Sequence, residues 1–473
     1  MKKIICLLIA FSLIGCNGTS NDSTPPIEVE KQAIDLSVFT DPNFADCILE
    51  RINNTGATYY SDIKYLDCSN RDIQSLSGLE KLIMIEEIAL SNNRISEINI
   101  SNNTFLTTLI INKNLLTDID VSHLKNLVVL DISENEISSI NPSFNSKLEQ
   151  LVIYDNQITN IDLSNNSILY NFLAERNQLS AIDLSHNHQL ESVYLDENNI
   201  DNVIIGAENT IYSLSLNDNL LENIDLSKAT YLTFLSLNSN LLEQIDISLN
   251  KDLDSLSINN NNLTNIDLSN NKVLHRLDCQ NNQLNSISFS SNQSLWHMYL
   301  ENNQLTDIDL SLNSSLKGIS LQGNKLSRLD TSSNLEIESI DASENNITSI
   351  NISTNSQLTY LNLADNHLAA IDLSNNTSLK RAILAANNII NIDLSFNTEL
   401  EDINLDRNNI SALDLSLNIN LNSAYLQENN LSVIDVSNNS ELTYLSIYSN
   451  PLTVDTIAYL ESIDGTNGLT VVW

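Results

Sequence analysis

From Ile85 onward an apolar residue recurs every 21 positions, at Ile85, Leu106, Leu127, Leu148 and on to Leu442, without a slip. That makes 18 units in register, most of them variations on LxxLxLxxNxLxxIDLSxNxx. One clear copy is LDSLSINNNNLTNIDLSNNK over residues 253–272. No single unit of this length can bury its own leucines. Stacked units can, so the chain must be a solenoid with one continuous core, whatever the 473-residue length would otherwise suggest about domain number.

Numbered from that recurring residue, unit positions 1, 4, 6, 11, 14 and 16 are apolar. Positions 4 and 6 flank an outward position 5, which is the period of a strand. Positions 14 and 16 repeat the alternation on the far side, so each coil is expected to have two short extended runs joined by turns. The turns are unusual in composition. The chain holds only 9 Gly and 5 Pro, against about 33 and 24 at average usage, but it holds 74 Asn. Asn tolerates the left-handed backbone region and bonds nearby backbone groups. Position 9 is Asn in all 18 units, from Asn93 to Asn450, and position 19 is Asn in 14 of the first 17. These two columns are expected to hold the turns, with stacked amides forming ladders between coils. Ser at position 17 (Ser164, Ser269, Ser395) is expected to cap the same turn.

A 21-residue unit with a central Asn and a second half reading IDLS resembles the leucine-rich-repeat family, in particular its short bacterial, internalin-like type. The resemblance implies a mainly β solenoid of short parallel strands with about 19 coils and small helical caps at both ends. The expected organisation is an N-terminal cap over residues 35–62, the solenoid over 63–452 and a C-terminal cap over 453–473. In TDPNFADCILERI, Thr40 or Asp41 can cap a helix, Pro42 suits its first turn, and Phe44, Cys47 and Ile48 share a face. After Asn450 the pattern predicts a short helix over 455–463, a Gly turn and a last strand. Residues 1–15 have two lysines followed by an apolar run too short to span a bilayer, ending Leu13-Ile14-Gly15-Cys16. This resembles a bacterial lipoprotein signal, and implies lipidation of Cys16, a flexible tether over 16–34, and a place in the cell envelope, on the outer membrane or cell surface. Whether that anchor faces the periplasm or the exterior is left open.

Composition and motifs narrow the function. Sixty acidic residues against 22 basic give a net charge of −38, which argues against nucleic acid, because phosphate binding needs Lys and Arg clusters. The chain has no GxSxG, HExxH, phosphate-loop or CxxC motif. No enzyme, cofactor or dedicated metal site is expected. His186 and His188 are close in sequence but fall in one turn. Cys68 and Cys279 occupy inward position 6, where a small buried apolar residue fits; pairing of Cys47 with Cys68 is the alternative for the first. Position 15 is Asp in 12 units, from Asp120 to Asp435. It points outward, so the column reads as a solvated acidic face, with weak divalent-cation binding as the alternative.

Positions 2, 3, 5 and 7 vary from unit to unit while the core positions do not. That freedom marks the outward face of the first strand as a binding surface, and the resemblance to the repeat family points to the same concave strand face. Large aromatics gather on it. Tyr170, Tyr194, Tyr212 and Phe234 form one group, and His275, Arg276, Trp296, His297, Tyr299 and Lys317 a second. Tyr360, Arg381, Tyr425, Tyr444 and Tyr448 form a looser third. Aromatics and Arg are common interface anchors. Arg276 and Lys317 make the middle group the strongest candidate, for an anionic or carbohydrate ligand. The expected function is non-catalytic recognition of a protein partner, of adhesion or scaffold type; the alternative is a carbohydrate-binding surface lipoprotein.

Overall fold

The computed structural model describes residues 31–207 and 209–473. The signal segment, Cys16 and most of the tether lie outside the described residues. Each unit contributes a three-residue strand at positions 3 to 5, with position 4 buried between two side chains that face out. Successive strands pair in parallel, with register shifts of one unit, as in Leu256↔Leu277 and Leu277↔Met298. The resulting sheet has 20 strands, from Tyr65–Asp67 to Thr470–Val472. At about 4.8 Å per strand it is roughly 90 Å long. One core runs beneath it from Phe39 to Val471.

The position-9 asparagines stitch coil to coil. In Asn261, Nδ2 donates to Leu237 O of the preceding coil (2.9 Å) and to Ile258 O and Asn259 O of its own (3.3 and 3.1 Å). Its Oδ1 accepts from Leu242 N–H of the preceding coil (3.1 Å). The same pattern recurs from Asn114 to Asn450. Most position-19 asparagines work from one end of the amide only; the exception is Asn355, whose Oδ1 accepts from Thr331 Oγ1 (2.7 Å). Asn271 Nδ2 donates to Ile247 O and Asn250 O (3.1 and 2.8 Å), and its buried Oδ1 has no protein partner among the described residues.

One expectation about Asn is corrected. The left-handed residue of each coil is not the conserved Asn but its predecessor at position 8. That residue is Lys113, Glu134, Arg176, Ala386 or Ser449 as readily as Asn, with φ between 50° and 58°. Only Gly323 occupies this position without a Cβ penalty. The side-chain bonds of the following Asn hold the backbone in this region, at a cost on the order of 1 kcal/mol per non-Gly residue.

The far side also differs from expectation. Among the described residues a second extended run forms a ladder in two places, Ala181–Leu184 with Asn202–Ile205 and Arg328–Asp330 with Ser349–Asn351. Elsewhere position 14 packs on the core without strand pairing, half-buried at most coils, as at Ile119, Ile224 and Ile371, and fully buried at Ile140, Ile266 and Ile434.

Both ends are closed. Helix α1, Pro42–Thr55, buries Phe44, Cys47 and Ile48. Its cap is Asp41. One carboxylate oxygen accepts from Asn43 and Phe44 N–H, the other from Gln74 and Ser75 N–H of the first coil. Burial opposes that charge, but the four backbone donors outweigh it and hold the carboxyl below its ordinary range. Cys47 and Cys68 are joined by a disulfide, Cα to Cα 5.7 Å, tying α1 to the first strand. Cys279 is a buried free thiol, pushed up to about 12 by burial. At the far end, α2, Val454–Ile463, is capped by Thr453. The last strand leaves Val471 N–H on an open edge, and Asp464 accepts it at 2.9 Å, which blunts that edge for further pairing.

Candidate functional site

The strand face is where the backbone asks least of the side chains. Positions 4 and 6 point inward, and the turns are held from positions 9 and 19. Positions 2, 3 and 5 are therefore presented at the sheet spacing with no role in the coil.

The middle group is brought together as a contact cluster. His275 and Trp296, adjacent at position 2, have ring centroids 4.5 Å apart, and Trp296 is 48% exposed. Arg276 and His297 follow at position 3 of neighbouring strands. Arg276 lies 5.0 Å from the Tyr299 ring centroid, and His297 and Tyr299 are parallel within 6° at 6.4 Å. The charges, however, are already engaged. Arg276 donates from Nε and Nη2 to Asp278 Oδ2 (3.0 and 2.8 Å). His275 Nδ1 meets Asp254 Oδ1 at 2.5 Å. Of this group only Lys317 is a cation with no ion pair among the described residues, so the expected attraction for an anionic ligand would rest on Lys317 alone.

The first group is spread over four successive coils. Tyr170 OH accepts from Gln150 Nε2, Tyr194 OH shares a hydrogen bond with Ser213 Oγ (3.0 Å), and Tyr212 OH accepts from Ser192 Oγ (3.3 Å). Tyr212 and Phe234 are exposed, at 44% and 36%. One intervening coil, residues 253–273, separates this group from the middle one. From the Tyr212 coil through that one the floor is low and polar: Ser215, Asn217, Ser236, Asn238, Ser257 and Asn259 form one hydrogen-bonded strip, begun by Asp196. In the third group Tyr425 and Tyr444 lie 5.2 Å apart, while Arg381 is bound to Asp402 (2.8 Å). Tyr360 and Tyr448 stand apart from that pair.

Sequence reasoning passed over a row of half-buried acids at the rim. Burial pushes the Glu175 carboxyl up to about 7, and the nearby Asp196 adds to the rise. Burial likewise raises Asp196 and Glu301, and raises Asp278 despite Arg276. The available signal was position: Glu175, Asp196 and Glu301 all occupy position 7, one residue after an inward side chain and one before the left-handed turn.

The Asp column has a different role from the one expected. In all 12 units Asp Oδ1 accepts the backbone N–H of the Ser two residues on, as in Asp162–Ser164 and Asp309–Ser311 (both 2.9 Å). Asn99, Asn141 and Asn351 make the same turn without a charge. The serine bonds hold these Asp carboxyls below their ordinary range. The column is thus a series of Asx turns, and it lends no support to cation binding. Among the described residues no set of three or more His, Cys, Asp or Glu side chains converges as metal ligands. His186 and His188 bond to separate local partners, Ser185 and Ala207. No helix among the described residues is long and apolar enough to cross a membrane.

No protein-family model and no curated protein matches the sequence. Solved structures do match its fold. YopM from Yersinia enterocolitica is 19% identical over 86% of this chain and 86% of its own, with a TM-score of 0.73. A leucine-rich-repeat protein of Leptospira interrogans is 19% identical, covering 90% of this chain and 98% of its own, with a TM-score of 0.52. The plant peptide hormone receptor RGFR1, in complex with RGF2, is 18% identical over 83% and 82%, with a TM-score of 0.53. The likeness fixes the architecture: the chain has the leucine-rich-repeat fold, shared with bacterial proteins among others.

Proposed function

We propose that this protein is a non-catalytic recognition module of the bacterial envelope, tethered through lipidated Cys16, whose strand face binds a protein partner as an adhesin or scaffold would. The observation that carries the reading is the middle cluster. Core and turn positions repeat from coil to coil, yet positions 2, 3 and 5 of adjacent strands gather His275, Arg276, Trp296, His297 and Tyr299 into one contact patch with Trp296 half exposed. Ring faces beside an internally neutralised Arg are typical of a surface that anchors by contact area and not by charge. Among the fold neighbours, RGFR1 is a receptor seen with a peptide hormone, which is the same kind of use of the fold.

The test is capture from envelope or host extracts with the mature body and two variants. Trp296→Ala with Tyr299→Ala is expected to abolish capture, and Phe396→Ser, at exposed position 18 of the far-side turn, to leave it intact. Equal capture by all three forms would refute the reading.

A second reading, carbohydrate binding, is favoured by one feature. Beside the His297–Tyr299 wall the floor falls away at Gly318, Ser320 and Ser339. A Cβ on Gly318 would stand 3.1 Å from the His297 ring, so the notch is fixed by the absence of a side chain. Glu301, Lys317, Glu338 and Asp341 border it, and a sugar ring could lie on the wall with its hydroxyls toward them. Gly318→Val would block a glycan there and spare a protein interface centred on Trp296.

A further inference from the structure

The exposed side of the strand sheet is far from neutral. Its outward positions 2, 3, 5 and 7 hold fifteen acidic residues and four basic ones across the 18 units. Three of the four bases are already bound to neighbouring carboxylates: Arg276 to Asp278, Lys380 to Glu401 and Arg381 to Asp402. Nine of the fifteen acids have no ion pair among the described residues, and five of these, Asp131, Glu149, Glu175, Glu191 and Asp196, fall in four successive coils.

The last two of those coils carry Tyr170 and Tyr194 of the first aromatic group, Tyr212 follows in the next coil, and acids and rings interleave. Backbone bonds from Tyr170 N–H to Glu149 O, from Glu191 N–H to Tyr170 O and from Tyr212 N–H to Glu191 O place four side chains in one column, in the order Glu, Tyr, Glu, Tyr. Successive backbones in that column are about 5 Å apart. The two glutamates act on Tyr170 directly, adding to the effect of burial in raising its hydroxyl. A carboxylate beside an aromatic face suits a guanidinium or ammonium group, which pairs with one and lies over the other. The spacing repeats, so an extended chain crossing the coils would meet such a place at every second strand. The low polar strip from Ser215 to Asn259 continues the path toward Asp254 and the middle cluster.

We infer that this end of the strand face is a docking surface for an arginine- or lysine-rich polypeptide segment, whose cationic side chains seat on Glu149, Tyr170, Glu191 and Tyr212. The inference rests on the protein-binding reading above and names the chemistry of the partner. A cation also suits the half-buried Glu175 and Asp196 of the same coils, whose carboxyls burial raises.

The test uses the mature chain and three synthetic peptides of equal length, alternating Ser with Arg, Gln or Glu, followed by fluorescence anisotropy at low and physiological salt. The Arg peptide is expected to bind, and the Gln and Glu peptides not to. Glu149→Gln with Glu191→Gln should weaken binding about tenfold, as should Tyr170→Ala with Tyr212→Ala. The control is Asp225→Asn with Asp246→Asn, which removes the same charge from the Asx column; Asn99 and Asn141 show that this turn forms without it. The control should stay within about twofold. Equal weakening by the control would mean that overall charge alone attracts the peptide, and would overturn the proposal. So would binding of the Gln peptide, or no binding of the Arg peptide. If the Arg peptide fails while Trp296→Ala with Tyr299→Ala still abolishes capture, protein recognition by the strand face stands and the basic partner does not.

Discussion

Replacing Asn261 by Ala measures what the position-9 column contributes. Its Nδ2 gives Leu237 O and Ile258 O a donor, but each carbonyl keeps a second one, from Asn240 and Asn282 respectively. The Leu242 N–H is different. It is wholly buried, and Asn261 Oδ1 is its acceptor. An orphaned buried N–H costs about 1–3 kcal/mol, and each weakened carbonyl a further fraction, so the substitution should destabilise its coil by about 3 kcal/mol. Asn271→Ala is the internal reference. It removes two donors at position 19 but strands no N–H, because Oδ1 there accepts nothing from the protein among the described residues. The side-chain volume lost is the same, so the cavity terms nearly cancel, and Asn271→Ala should cost about half as much. In a solenoid the loss is felt first in adjacent coils. The assay is therefore native-state hydrogen exchange read at the Leu242 amide, alongside chemical denaturation. The amide should exchange faster by about two orders of magnitude in Asn261→Ala and stay protected in Asn271→Ala. An unchanged Leu242 amide, or equal costs for the two variants, would refute the account of the two columns.

Glu175 predicts a pH dependence. Its folded carboxyl titrates near 7, above the ordinary value of 4.5, so the folded state holds this proton more tightly than the unfolded chain. The stability it confers is complete below about pH 4.5 and is lost as pH rises toward 7. Glu175→Gln should thus gain up to about 3 kcal/mol at pH 8 and nothing at pH 4, measured by denaturant titration at both. Ala386→Gly should stabilise by about 1 kcal/mol, because Ala386 holds φ 51° and Gly does so freely; a loss of stability would contradict the strain assigned to position 8. Replacing Cys47 and Cys68 by Ser should cost about 3 kcal/mol from the 21-residue loop they close, and proteolysis should then begin at α1.

Much of this architecture was legible from one period. The inward leucines, a strand through position 5, a helix cap at Thr40 or Asp41 and a closing strand after the Gly turn all follow from patterns that side-chain type reveals. What escaped were features set by backbone geometry. The left-handed residue takes Lys113, Glu134 or Ala386 with equal ease, because its neighbours impose the conformation and its identity carries no mark of it. The Asp column looked like charge because Asp is charged. The clue was that Asn99, Asn141 and Asn351 substitute for it, which a turn tolerates and a cation site would not. The neutralisation of Arg276 was within reach, since Asp278 lies two residues on and a strand puts both on one face. At the candidate site, residue type showed where the aromatics were, but only the packed side chains showed which cations were already taken.

The one-dimensional bonding of the coils has a mechanical consequence. Each Asn261-type bridge reaches only the coil before it, so a pull along the chain meets resistance one coil at a time, and each release pays out 21 residues, or roughly 70 Å of extended chain. Tension entering from the N-terminal side would first try to peel α1 from the stack. The Cys47–Cys68 bond crosses that seam covalently, and Asp41 crosses it again with its paired bonds to α1 and to Gln74 and Ser75. The opposite end has only the short hydrogen-bonded strand Thr470–Val472 and α2. Under load the body should therefore unravel from its far end first, as a sawtooth of equal steps in a single-molecule stretching trace.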